Sequence, residues 1–242
     1  AYDDIRKLFA DQQASKLSGY SAKHFSFNVD GGRCESCKGE GEVTVEMQFM
    51  ADVKLRCDSC DGKRFKREVL EVRFAGKNIF DVLSMSVDEA LAFFTQHQET
   101  KIANKIQALA DVGMGYVALG QSSSTLSGGE AQRIKLASYL TKGNSKESVL
   151  FLFDEPTTGL HFHDIGKLLQ SFRQLIDRGH TIIVIEHNTH LIEYVDHVID
   201  LGPTGGHGGG KLLATGKPED IAKNKKSSLY KRLFANSLYQ PN

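Results

Sequence analysis

The chain has 242 residues, 40% of them hydrophobic and 25% charged, which is ordinary for a globular protein with a sizeable core in one or two domains. Thirty basic and thirty acidic side chains cancel, so no global field marks it as a nucleic-acid binder, and any such contact must rest on local patches. No apolar run reaches the ~18 residues that span a bilayer, and the first residues carry no signal-peptide pattern, so a cytoplasmic location without membrane attachment is expected. The opening AYDDIRKLFA lacks a methionine, as expected of a piece cut from a longer chain.

In chain order, DDIRKLFADQQASKL (3–17) reads as one helix, followed by an extended HFSFNV (24–29) with Phe25 and Phe27 on one side. Next come four cysteines: Cys34 and Cys37, a nineteen-residue spacer, then Cys57 and Cys60. Each C-x2-C pair can form a knuckle presenting two thiolates, and four thiolates in a tetrahedron suit one structural zinc ion. Two disulfides or four unremarkable thiols are the alternatives for the same spacing, but no secretory signal and no further cysteine accompany the cluster. Between the pairs, Val43, Val45, Met47 and Phe49 alternate with Thr44, Glu46 and Gln48, a strand pattern, and Ala51-Asp52 can begin the return of a hairpin. Residues 30–73 hold nine basic and ten acidic side chains, and the short run Lys63, Arg64, Lys66, Arg67 by itself reads as a solvated face rather than a DNA contact.

REVLEVRFAGKNIFDVL (67–83) reads as a strand, a glycine-containing turn and a return strand. SVDEALAFFTQH (86–97) starts with the capping-box pair Ser86 and Glu89 and continues as a helix. ETKIANKIQALADVG (99–113) is a further helix, stopped at Gly113. In TLSGGEAQRIKLASYL (125–140) two glycines precede a helix with apolar positions Ile134, Leu136, Ala137 and Leu140. Ser127 with the Gly128 and Gly129 amides then stands where unsatisfied N–H groups and the positive dipole end attract an anion, as a γ-phosphate sensor would. The polar TKGNSKES (141–148) marks a lobe boundary.

From Val149 strands and helices alternate. Val149–Phe153 is a five-residue apolar run, read as a buried strand of a mostly parallel sheet, ending in Asp154 and Glu155. Ligands bind at the C-terminal edge of such sheets. There the first acid can hold Mg²⁺ and the second can orient or deprotonate water, although two adjacent acids can also simply cap a helix. After the helix HDIGKLLQSFRQLIDRG (163–179), a second buried strand, Thr181–Ile185, delivers Glu186 and His187 to the same edge. THLIEYV (189–195) reads as helix, HVIDLG (197–202) as strand, and PEDIAKNKKSSLYKRLFANSLYQPN (218–242) as a fraying helix. GGHGGGKL (205–212) satisfies G-x4-G-K but places Leu212 where Ser or Thr should meet Mg²⁺, and it reads as a hairpin turn. Residues 1–33 contain no phosphate-binding loop.

Taken together, LSGGEAQR resembles the signature motif of ABC-type ATPases, FLFDEP their Walker B strand, TGLH their D-loop and EHN their histidine loop. GYVALGQSSSTLSGGEAQRIKLA and FSFNVDGGRCESCKGEGEVTVEMQFMADV narrow this to a resemblance to the UvrA family of excinuclease components, over nearly the whole chain. The fold so implied is α/β, a partial ABC-type (P-loop NTPase) core with a helical signature domain carrying an inserted four-cysteine zinc module. Residues 1–144 would be the second signature domain, with the zinc module at about 30–65, and 145–242 the C-terminal ATP-binding lobe.

The resemblance further implies that Ser127, Gly128, Gly129 and Glu130 face the γ-phosphate of a nucleotide held by another module's Walker A. Asp154 with Mg²⁺, and Glu155 and His187 as catalytic residues, would serve their own module's ATP. This chain alone, lacking Walker A, would be inactive. Implied partners are damaged double-stranded DNA, a second copy in a homodimer, and UvrB, the helicase-like component of nucleotide excision repair. Lys23, Arg33, Lys54, Arg56, Lys63 and Arg64 are then the DNA-contact candidates. The competing readings are another zinc-containing ABC ATPase, of transporter or translation type, and a non-catalytic zinc-ribbon module beside an ATPase-like lobe.

Overall fold

Helix α1 (Tyr2–Ala10) begins with Asp3 and Asp4 in its first turn, where the dipole favours them, and buries Ile5 and Phe9 one turn apart. In the computed structural model, which describes residues 1–47, 52–141, 147–204, 206–224, 227 and 229, the helix expected over 3–17 breaks after Ala10. It resumes as α2 (Gln13–Leu17). The buried Ser15 hydroxyl donates to the Phe9 carbonyl oxygen at 2.6 Å, an acceptor that a continuous helix would have used itself. Residues Ala22–Phe25 form a 3₁₀ turn rather than the expected extended segment, because it lets Phe25 tuck against Phe9 at 5.5 Å between ring centroids. Phe27 stacks on Tyr2 at 5.2 Å.

Strands β1 (Glu42–Val45) and β2 (Val53–Arg56) pair antiparallel, Val43 opposite Leu55 and Val45 opposite Val53. The hairpin was legible in the alternation, but neither face is buried. Gln48, Phe49 and Ala51 lie outside the described residues.

The expected strand pair over 67–83 is instead two short helices, α3 (Arg67–Leu70) and α4 (Ile79–Ser84), around a turn at Ala75-Gly76. Asn78 caps α4 in a reciprocal box with Asp81, each backbone N–H donating to the other's side chain at 2.9 Å. Val69 with Val72 and Ile79 with Val82 and Leu83 then fall at helical spacing onto the core. Helix α5 (Val87–Gln96) starts at the Ser86–Glu89 capping box and α6 (Thr100–Asp111) precedes Gly113, at φ +75°, both as read. Ile5, Phe9, Phe25, Phe65, Phe94 and Ile106 are central to this core.

The chain forms two compact units, residues 1–110 with 114–126, and residues 111–113 with 127–242. In the second, α7 (Gly128–Thr141) precedes β3 (Leu150–Asp154), which lies parallel to β4 (Thr181–Ile185) through helix α8 (Phe162–Asp177). Residues 142–146, in the expected boundary loop, are outside the described residues. Phe151 and Phe153 are buried, and the Phe153 ring meets Phe172 of α8 at 4.9 Å. The strands read as buried on both faces are covered on one only, for Leu150, Leu152, Ile183 and Ile185 are 52–68% exposed.

Helix α9 (Thr189–Ile192) leads to a separate antiparallel hairpin, β5 (Val198–Gly202) and β6 (Lys211–Gly216), and then α10 (Pro218–Ile221). The glycine-rich 206–212 stretch is the connection and start of that hairpin, as read, with Gly205 outside the described residues. Most of the expected terminal helix after residue 224 also lies outside them. No helix among the described residues is long and apolar enough to cross a membrane.

Candidate functional site

The Sγ atoms of Cys34, Cys37, Cys57 and Cys60 all lie within 4.8 Å of one another, with Cys34–Cys57 at 3.9 Å and Cys37–Cys60 at 3.7 Å. Disulfides need about 2.05 Å, whereas tetrahedral zinc with bonds of about 2.3 Å sets its sulfurs about 3.8 Å apart, so the donor set fits a metal ion such as zinc. The two knuckles repeat one backbone device. Lys38-Gly39 and Asp61-Gly62 both adopt positive φ after the second cysteine, and Ser36 and Ser59 at matching positions share a 2.8 Å hydrogen bond. A Cβ at Gly39 would stand 2.0 Å from the Phe27 carbonyl oxygen, so only glycine fits there. The Cys60 backbone N–H beside Cys57 lowers that thiol to about 7, while burial pushes Cys60 up to about 12. The Gly41 N–H donates to Cys37 Sγ at 3.2 Å, a bond suited to a ligating thiolate.

Of the basic candidates near the cluster, several are engaged within the fold. Arg33 pairs with Asp30 at 2.7 Å and donates to the Lys38 carbonyl oxygen, and Arg56 pairs with Asp61 at 2.9 Å. Arg64 donates to the Gly120 carbonyl oxygen at 2.6 Å and lies over the Phe27 ring. Lys63 is 3.9 Å from Asp61, and Lys23 and Lys54 are exposed. Arg33, Arg56 and Arg64 are thus engaged in holding loops of the fold.

At the second candidate site, Ser127 caps α7. Its N–H donates to Glu130 Oε2 at 2.8 Å, and its hydroxyl oxygen accepts from the Glu130 N–H at 3.3 Å, leaving the hydroxyl proton to donate outward. The Gly128 and Gly129 amides have no intrahelical acceptor by helix geometry, and a side chain at Gly128 would meet nothing within 4 Å. Ser127 and Gly128 are exposed.

Strands β3 and β4 end side by side, Asp154 level with Ile185, and the Glu155 N–H continues the ladder onto the Ile185 carbonyl oxygen at 2.9 Å. Parallel pairing in this register places Asp154, Glu155, Glu186 and His187 at one sheet edge. The Glu155 carboxylate and the His187 imidazole approach to 3.6 Å, both largely exposed. Glu155 has φ +45°, a left-handed conformation in which Cβ crowds the backbone.

Gln132 and Arg133 of LSGGEAQR and Glu186 of EHN, none of them assigned a role by those motifs, hold this edge. Gln132 Oε1 accepts from the Asp154 N–H at 3.3 Å, and Arg133, fully buried, donates to the Pro156 carbonyl oxygen at 2.6 Å. The Glu186 side chain is 2% exposed and accepts from the Thr157 N–H and hydroxyl and from the His187 and Asn188 N–H groups. Burial alone would raise its carboxyl, but those donors outweigh it and hold it below the usual value. One signal was available: Arg133 falls three and four residues before Leu136 and Ala137, on the buried stripe of α7.

Residues 35–158, just over half of the chain, match the family model described as ABC transporter. A UvrABC system protein A from Staphylococcus epidermidis is 54% identical over 93% of this chain and 24% of its own length. A Clostridium perfringens protein of the same name shows the same identity and coverage. The chain thus spans about a quarter of the length of these curated relatives. The crystal structure of UvrA2 from Deinococcus radiodurans superposes with a TM-score of 0.83 at 45% identity, covering 97% of this chain and 28% of that one.

Proposed function

Since the chain belongs to the UvrA family of ABC-type ATPases, we propose that it is the signature and Walker B portion of a DNA-damage recognition ATPase of nucleotide excision repair. The observation that carries this reading is the meeting of Glu155 and His187 at 3.6 Å where β3 and β4 end. A carboxylate beside an imidazole at a sheet edge can orient and deprotonate water attacking a γ-phosphate. Asp154, next to Glu155, would hold Mg²⁺, and the chemistry supplied by that ion is charge neutralisation on the transferred phosphoryl group. Ser127, Gly128, Gly129 and Glu130 would face the γ-phosphate of a nucleotide cradled by a Walker A loop outside this chain.

In this reading residues 1–144 form the signature region and 145–242 the ATP-binding lobe. The uncovered face of β3 and β4 receives the rest of the nucleotide core, because strands of parallel sheets are normally buried on both faces. The cysteine cluster holds one structural zinc ion. The whole protein works in the cytoplasm as a homodimer on damaged double-stranded DNA, loads UvrB, and touches DNA through basic side chains in and beside the zinc module, Lys54 and Lys23 foremost. The test is ATP turnover by the full-length protein and by this chain alone. Turnover is expected in the former only, and Glu155→Gln should abolish it. Turnover by the isolated chain that Glu155→Gln removes would refute the division of the site between modules.

A further inference from the structure

The turn after β3 is gripped from two sides by buried charged groups of opposite sign. From one side Arg133 reaches the Pro156 carbonyl oxygen at 2.6 Å and the Thr158 carbonyl oxygen at 3.4 Å. From the other, Glu186 Oε1 accepts from the Thr157 N–H at 3.2 Å and from the Thr157 hydroxyl. The guanidinium thus takes the carbonyls of residues 156 and 158, and the carboxylate takes the donors of the residue between them. Neighbouring Gln132 binds the Asp154 N–H at 3.3 Å, so two consecutive residues of α7 read the backbone at 154, 156 and 158. The other oxygen of Glu186 fixes the histidine loop, accepting from the His187 N–H at 2.6 Å and the Asn188 N–H at 2.9 Å.

Packing alone does not call for this arrangement. Burying a guanidinium and a carboxylate is costly unless each is satisfied, and apolar side chains of similar size would fill the same space. Both instead reach the backbone of residues 156–158, which directly follows Glu155, the residue held at φ +45°. A left-handed glutamate relaxes unless its surroundings fix it. Its side chain stays 55% exposed, beside His187 rather than drawn into the clamp.

We infer that Arg133 and Glu186 are positioning residues, a two-sided clamp on Pro156–Thr158 that holds the Glu155 carboxylate against His187 and is required for turnover. The inference rests on the proposed catalytic role of Glu155, and the experiment separates the two. In the full-length protein, kcat and KM for ATP are measured for Glu155→Gln, Arg133→Lys, Glu186→Gln and the pair Thr157→Val and Thr157→Ser.

Arg133→Lys keeps the charge but loses the two-carbonyl grip, and Thr157→Val removes only the hydroxyl donor. Each of Arg133→Lys, Glu186→Gln and Thr157→Val is expected to lower kcat by about tenfold or more with KM within about twofold, since none touches nucleotide. Thr157→Ser should recover most of the rate lost in Thr157→Val, which a loss of packing alone would not predict. Should a clamp variant melt early, the near-isosteric Thr157 pair decides the matter. The clamp is overturned if Glu155→Gln abolishes turnover while the clamp variants keep kcat within about twofold of wild type, or if their losses appear in KM alone. Turnover indifferent to Glu155→Gln sinks the catalytic reading instead, and the inference with it.

Discussion

Stripping the metal from the four-cysteine cluster should unfold the two cysteine knuckles and the β1–β2 hairpin while the helical core of the same unit, Phe65 included, stands. Structural zinc contributes about 10–16 kcal/mol in small metal-dependent folds, as much as the about 5–15 kcal/mol that stabilises a whole domain. The module has little to set against that loss. Its buried cluster is the four cysteines themselves, and hairpin residues such as Val43 and Val45 remain 41% exposed. A valine so placed contributes about 1 kcal/mol of apolar burial, roughly half of what full burial gives. The core around Phe9, Phe94 and Ile106 has no such dependence. Metal analysis should find one zinc ion per chain. Amide hydrogen exchange before and after a strong chelator should show the β1–β2 ladder losing protection by on the order of a hundredfold, with α5 and α6 nearly unchanged. Complete removal of metal with the hairpin ladder still protected would refute the argument, as would recovery of two disulfides from the native protein.

Two further outcomes are expected. Asp4 hydrogen-bonds Lys105 and Lys101, which hold its carboxyl down at about 2 against an ordinary 3.8. A depressed folded value means this stabilisation is present above about pH 4 and lost as pH falls toward 2. Because the lysine ends are exposed it amounts to about 1 kcal/mol. The urea-unfolding gap between wild type and Asp4→Asn should therefore be open at pH 5 and close near pH 2, and a gap constant with pH would contradict the assignment. Replacing Ser86 by alanine removes the oxygen that accepts from the Glu89 N–H at 3.2 Å, at a cost of about 1 kcal/mol. Thermal melting should fall by about 2–4 °C, with Ser86→Gly falling by much less, and equal losses would mean the cap is not responsible.

What could be read in advance was whatever a short pattern specifies by itself. Paired cysteines at fixed spacing, the Ser86 box and the apolar runs ending in Asp154 and Glu186 all took the expected places. Misreadings occurred where hydrogen bonds and burial that the apolar pattern does not show decided. Val69, Val72 and Phe74 alternate loosely enough to look like a strand, and only the Asn78–Asp81 box and the burial of Ile79 and Val82 show that helices win. Ser15 interrupts a good helix because its hydroxyl finds the Phe9 carbonyl six residues back. Five apolar residues in a row gave no hint that Leu150 and Leu152 would face outward, since a run of that kind carries no face information. The roles of Arg133 and Glu186 were hidden for a related reason, although Glu186 was placed at the sheet edge. Charged residues read as solvated until the fold supplies backbone groups for them to bind.

The left-handed backbone at Glu155 sets two selections against each other. At φ +45° glycine would sit without strain, and asparagine or aspartate nearly so, while glutamate costs about 1 kcal/mol. A library randomised at position 155 and sorted for thermal stability should drift toward glycine, and the same library sorted for nucleotide turnover should keep glutamate. That outcome would mark a position that exchanges some folding stability for a carboxylate at the sheet edge, an opposition characteristic of functional sites rather than of scaffold.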